Sequence, residues 1–247
     1  RLRAAHRRIH RAEQRAGHAA ADGSVHLCGI LGRDPAHLDM VDHPAVLEVV
    51  TGILGWNLHV YHSHLDAHPR IPAPAPPRWG WHQDGGRQNV ELETTPRPRL
   101  SVKIAVFLTD LHRPGRGNLE VIAGSHREDR LERPLRPELG FEPPVGAAPV
   151  LARAGDVLVF DRRLWHARGP NLNGPVRRAL FFGYTFRWIS QRESHGLGQA
   201  ELERLSPVRS QLVGECGWRD GHWVPDTADL PLREWMRDRG VAQAPIV

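Results

Sequence analysis

Apolar positions follow a helical period at the start of the chain and a strand period through its middle. Residues 1–20 interleave Ala4, Ala5, Ile9 and Ala12 with arginines, the spacing of an amphipathic helix, which Gly17 and Gly23 break. Asp34-Pro35 offers an N-cap followed by proline at the first helical position, and Asp42 with Pro44 repeats the signal. The helix opened there carries Val46, Leu47, Val49, Val50, Ile53 and Leu54 and stops at Gly55. From Trp56 to Leu65 the pattern becomes strand-like, and residues 69–77 are too proline-rich to be other than a loop. Further strands are expected over 99–109, 118–123, 155–160 and 177–189, separated by turn clusters such as Arg113 to Gly117 and Gly169 to Pro175. Short strands that do not alternate with helices predict a mainly β sandwich or barrel with helices before it.

Composition narrows the class. The 247 residues are 40% hydrophobic and 25% charged, a globular balance that one domain spanning 1–247 can accommodate. No apolar run approaches the ~20 residues needed to span a bilayer, and no apolar segment follows the Arg-rich start. The expectation is a soluble, cytoplasmic protein with no membrane partner. Only Cys28 and Cys216 are present, so reduced thiols are expected and any metal falls to histidine and carboxylate. The net charge of +5 raises nucleic-acid binding. However, the arginines are spread along the chain, and Lys103 is the only lysine among 33 basic residues, which reads as codon bias; no nucleic-acid partner is expected. The lone lysine either marks a place where a compact ammonium fits and a guanidinium does not, or survives by chance.

Among 16 histidines the pattern His-any-Asp occurs at His37-Asp39, His64-Asp66 and His82-Asp84. Positions two apart diverge on a helix, which argues against the first. His64 and Asp66 end a strand before the proline loop and read as a solvated edge. His82 and Asp84 lie in extended backbone, where residues two apart project to one side and meet the same metal. A further histidine completes the facial triad that leaves positions open on Fe(II), and His166, after the strand Gly155 to Asp161, is the best placed.

The succession His82-Gln83-Asp84-Gly85, the strand Leu100 to Asp110, Gly117 to His126, Gly155 to Asp161, His166, Asn171 and Arg177 resembles the phytanoyl-CoA dioxygenase family, iron(II)- and 2-oxoglutarate-dependent oxygenases. The resemblance covers residues 45–189. It departs at Ala123, where many relatives carry proline before the Gly-Ser-His turn. It implies a mainly β, double-stranded β-helix (a jelly-roll or cupin-like barrel) over about 56–190, with a helical flank over about 1–55 and a variable C-terminal segment, about 191–247, near the mouth. It also implies Fe(II) on His82, Asp84 and His166, with 2-oxoglutarate and O2 as cosubstrates, and Arg177 paired with the distal carboxylate of 2-oxoglutarate. Arg178 points the other way and reads as a surface charge, whereas Ala179 and Gly183 leave room on the Arg177 face.

Lys103 shares its face with Ser101 and Ala105. If that face is interior, the ammonium needs an anion, either a 2-oxoglutarate carboxylate or an acidic side chain; if not, it reaches solvent. Candidate substrate contacts are Trp81, Arg87, Gln88, Trp165 and Trp188, alongside Trp79, although core packing explains the tryptophans too. The implied activity is hydroxylation, desaturation, epimerisation or oxidative cyclisation of a small molecule, with an antibiotic intermediate, glycosylated or not, as the favoured class. Asp84 argues against halogenation, which the family performs with a small residue at that position. The alternative is a jelly-roll that binds a carbohydrate or anion without turnover.

Overall fold

The computed structural model describes residues 1–71, 80–131, 143–224 and 230–244. Helix α1 (Leu2–Arg15) precedes strand β1 (Val25–Cys28), and two proline-started helices follow, α2 (Pro35–Val41) and α3 (Pro44–Leu54). The Asp34 side chain caps α2 by accepting from the Ala36 N–H, as its position predicts. Helix α3 begins one residue later than expected, with His43 at the N-cap, and ends at Gly55, whose φ of 80° suits only glycine. Then come β2 (Leu58–His68), the short α4 (Gln88–Glu91), β3 (Ser101–Phe107), β4 (Leu119–Ile122), β5 (Ala147–Pro149), β6 (Val157–Asp161), β7 (His166–Arg168) and β8 (Arg177–Phe186). The chain closes with α5 (Gln199–Leu202), α6 (Pro207–Leu212), the strand pair β9 (Trp218–Arg219) and β10 (His222–Trp223), and α7 (Pro231–Asp238).

Among the described residues, apart from the β9–β10 pair, the strands form two antiparallel sheets, one ordered β1-β2-β8-β3-β6 and one ordered β5-β4-β7. Alternation divides the larger sheet. Leu65, Val102, Ile104, Leu180, Phe182 and Tyr184 point outward and join Leu47, Val50 and Leu54 of α3 in one core. Ala105, Phe107, Phe160, Ala179 and Phe181 point inward and pack with Leu111, Leu119 and Ala152 in a second. Because α3 is apolar on the face it turns to the sheet, the helices cover the outer side and leave the inner side to polar chemistry.

Four expectations need correction. The segment 25–28 was not expected to be a strand, since its alternation is carried by His26 and Cys28 on one face and only Val25 and Leu27 on the other; it pairs with β2 from Val25↔Ala67 to Cys28↔His64. His64 and Asp66 are no solvated edge: β2 runs on to His68, between β1 and β8, and both side chains are buried. The C-terminal segment is part of the main body: Leu212, Val213 and Leu232 lie in the outer core, and the Gln211 side chain donates to the carbonyls of Trp56 and Leu58. Arg178 is half-buried beside the arginines of α1 and donates to the Val176 carbonyl. Most of the proline-rich loop, with Trp79, lies outside the described residues. Among the described residues no helix is long and apolar enough to cross a membrane.

Candidate metal centre

His82 and His166 face each other through a two-residue antiparallel bridge, each backbone N–H donating to the other's carbonyl at 3.0 Å. That bridge sets the two rings 4.3 Å apart. Two residues on, the Asp84 N–H donates to the Arg162 carbonyl at 2.8 Å, which turns the carboxylate towards the same point. Gly85 then bends the chain at φ 118°, and any Cβ there would strike the Arg162 guanidinium. Arg162 is fully buried and binds the carbonyls of Asp84 and Pro98 and the Asn89 side chain. In a chain so rich in arginine, nothing in the sequence separates this clamp from a surface charge.

The donor atoms of His82, Asp84 and His166 lie within 4.8 Å of one another. His82 Nδ1–H donates to the Gly80 carbonyl at 2.6 Å and His166 Nδ1–H to the Leu164 carbonyl at 2.8 Å. Both Nε2 atoms therefore present lone pairs, each 3.9 Å from an Asp84 carboxylate oxygen. Asp84 Oδ2 is buried and has no hydrogen-bond partner. An orphaned carboxylate oxygen facing imidazole lone pairs is costly unless a cation fills the gap, so the three residues fit a divalent metal of the Fe(II) kind.

The other oxygen, Oδ1, accepts from Lys103 Nζ at 2.8 Å, and both side chains are buried. The Ser101/Lys103/Ala105 face is thus interior, and an acidic side chain supplies the anion. Burial opposes ionisation of Asp84, but Lys103 and His166 outweigh it and hold the carboxyl well below the usual range. Burial also draws His166 down to about 4, against the pull of Asp84, which keeps the ring neutral.

Arg177 lies on the same inner face, fully buried, with its carbon 5.5 Å from the Phe181 ring centroid and its aliphatic part against Gly117. Its Nη1 is 3.0 Å from Asp66 Oδ2, and its Nε is buried without a partner. Asp66 is thus a partner of Arg177 that its His-any-Asp motif, placed by the sequence at a solvated edge, does not announce. Burial disfavours the Asp66 charge, but hydrogen bonds from His26 and His68, together with Arg177, hold the carboxyl well below its ordinary range. The room expected at Gly183 is filled: Tyr61, the extra residue of a bulge between Val60 and His62, lays its ring where a Cβ would stand.

The five candidate substrate contacts scatter. Trp81 is buried beside the triad, and Gln88 is half-buried on α4. Arg87 is exposed and pairs with Glu91 at 2.6 Å. Trp165 lines a cleft of about 1230 Å³ with Ile122, Ser125, Glu128 and Arg130, and no triad residue lines it. Trp188 is 52% exposed, stacks on Phe186 and borders a groove with His59, Arg187 and Trp223.

His82 and Asp84, bridged to His166 of β7 beside two antiparallel sheets, form a candidate two-histidine, one-carboxylate metal site. The chain belongs to the phytanoyl-CoA dioxygenase family, whose profile its sequence matches over residues 1–179. It is 30% identical over 190 residues to the uncharacterized protein Rv1501 of Mycobacterium tuberculosis, an alignment covering 73% of this chain and 63% of that protein. It is 27% identical over 166 residues to the iron/alpha-ketoglutarate-dependent dioxygenase ausU of Aspergillus calidoustus, covering 65% of this chain and 52% of the relative. The chain thus spans less than two thirds of either relative. Among solved structures it resembles the non-heme alpha ketoglutarate dependent carbocyclase SnoK from nogalamycin biosynthesis, at 25% identity and a TM-score of 0.54, covering 83% of this chain and 81% of that one.

Proposed function

We propose that this protein is an Fe(II)- and 2-oxoglutarate-dependent oxygenase acting on a small molecule of specialised metabolism. The observation that carries the reading is the buried, unpartnered Asp84 Oδ2 facing the Nε2 atom of His166, with the Nε2 atom of His82 equally close to Oδ1. In this reading the two sheets are the walls of a double-stranded β-helix and residues 1–247 form one unit. Bound Fe(II) would supply the positions at which 2-oxoglutarate and O2 meet, and the oxidative decarboxylation to succinate that powers oxidation of a substrate carbon.

The chain's own residues do the rest. The backbone carbonyls of Gly80 and Leu164 hold both imidazoles in the ligating tautomer, and Lys103 orients Asp84 while leaving Oδ2 free. Arg177 receives the distal carboxylate of 2-oxoglutarate through the donors that Asp66 does not occupy. Lys103, the other assigned cosubstrate contact, acts chiefly on Asp84. Hydroxylation and oxidative cyclisation both fit this machinery, and the likeness to SnoK, a carbocyclase from nogalamycin biosynthesis, favours a natural-product intermediate as substrate. The test is succinate formation from 2-oxoglutarate in air with Fe(II) and ascorbate. Iron-dependent succinate that Asp84→Ala abolishes is expected; succinate at equal rates in Asp84→Ala, or none in the native protein, contradicts the reading and leaves a non-catalytic binder.

A further inference from the structure

The antiparallel register of β1 and β2 sets His26 opposite Asp66 and Cys28 opposite His64. Residues two apart on a strand share a face, and Leu27 and Leu65, the intervening positions, turn to the outer core. The inner face at this end of the sheet therefore gathers metal-ligating side chains remote in sequence from His82, Asp84 and His166. The donor atoms of His26, His64 and Asp66 lie within 4.8 Å of one another, His26 Nδ1 is 2.7 Å from Asp66 Oδ1, and the two rings are 4.7 Å apart.

We infer that His26, His64 and Asp66 form a second metal site, for a borderline divalent cation such as Zn²⁺, on the inner face of the β1–β2 edge. Two features prepare these donors. His62 gives its Nδ1–H to Glu193 at 2.8 Å and accepts at Nε2 from His64 Nδ1–H at 2.8 Å, which leaves His64 Nε2 as a lone pair. Asp66 commits Oδ2 to Arg177 at 3.0 Å and turns Oδ1 to His26, from whose Nδ1–H it accepts at 2.7 Å; an ion taken up between them would shift that proton to His26 Nε2. Two imidazoles and one carboxylate suit Zn²⁺. The ion needs no opening of the fold, because the His26 side chain is 56% exposed on the edge strand. Bound there, it would cross-link β1 to β2.

The site uses none of the residues assigned to Fe(II), and zinc content tests it separately from activity. Full-length protein stripped with a chelator is dialysed to equilibrium against Zn²⁺, and bound metal is counted by mass spectrometry of the digested sample. Two ions per native chain are expected, one after His26→Ala, one in His82→Ala/His166→Ala, and none in the triple variant. Zn²⁺ should also raise the thermal midpoint of His82→Ala/His166→Ala, and the added His26→Ala should abolish that rise. A native stoichiometry of two that His26→Ala leaves unchanged overturns the site, as does a stoichiometry of one that His82→Ala/His166→Ala reduces to none. The exposed His26 makes its truncation the variant least able to disturb folding, so the native and His26→Ala pair decides the question even if the double variant folds poorly.

Discussion

The ammonium of Lys103 stands 2.8 Å from Oδ1 of Asp84, inside the molecule and beside the ring of Tyr61 that covers Gly183. The only lysine of the chain thus neutralises a carboxylate assigned to the metal. Lys103→Met leaves that carboxylate buried without a countercharge, at a cost of about 3 kcal/mol. The expected result is a metal-free thermal midpoint roughly 10 °C below that of the native protein, with much of the deficit recovered on adding Ni²⁺ or Fe(II). A midpoint unchanged by the substitution would mean that the pair is not formed in solution.

Lys103→Arg tests shape instead of charge. A planar guanidinium is wider than an ammonium and cannot sit between Asp84, Ser101 and Tyr61 without moving Asp84. We expect a thermal midpoint within a few degrees of native, on the order of 1 kcal/mol, and at least about a tenfold loss of 2-oxoglutarate turnover. Native turnover would make the lone lysine an accident of composition.

For Arg177 the relevant partner is Asp66. Arg177→Ala should raise the apparent requirement for 2-oxoglutarate by about two to three orders of magnitude, the usual 2–5 kcal/mol for removing one member of a buried charge pair, with a much smaller change in iron affinity. Asp66→Asn frees the guanidinium and should act in the opposite sense, lowering the 2-oxoglutarate concentration needed for half-maximal turnover while reducing thermal stability. Weaker 2-oxoglutarate binding in both variants would show that Asp66 assists the cosubstrate instead of competing with it.

Buried histidines set the acid limit of the fold. Burial draws His6 down to about 3 and His59 to about 4, and it lowers His10, His37 and His195 as well. Their folded-state values lie below the unfolded one near 6.5, so the unfolded chain binds more protons; stability is full above pH 6.5 and is lost as pH falls towards 4. His6 and His59 alone cost about 2 kcal/mol each by pH 5, and the midpoint of metal-free protein should fall by roughly 10 °C between pH 7 and 5. His59→Gln should flatten that slope, and an equally steep slope in the variant would remove His59 from the explanation.

Local signals were the most legible part of this chain. The Asp34 cap, the stop at Gly55 and five strands follow from side-chain preferences acting over a few residues. His82 and Asp84 were readable because their spacing in extended backbone already puts them on one side, and His166 because a strand leads into it. What escaped depends on tertiary pairing. Strand β1 is held by β2, not by its own apolar pattern, and with β1 unseen His64 and Asp66 looked exposed. Arg162 escaped because burial, not identity, distinguishes it from the surrounding arginines. The filling of Gly183 by Tyr61 needs a bulge that no spacing rule announces.

The central claim is that His82, Asp84 and His166 together hold the metal on which 2-oxoglutarate binds. The direct measurement is the visible charge-transfer absorbance formed when Fe(II) and 2-oxoglutarate are added anaerobically to chelator-treated protein. The native protein should develop a weak band that saturates at one iron per chain, and His82→Ala, Asp84→Ala and His166→Ala should each lack it while Arg177→Ala recovers it at high 2-oxoglutarate. A full-strength band in any of the three ligand variants would contradict the assignment.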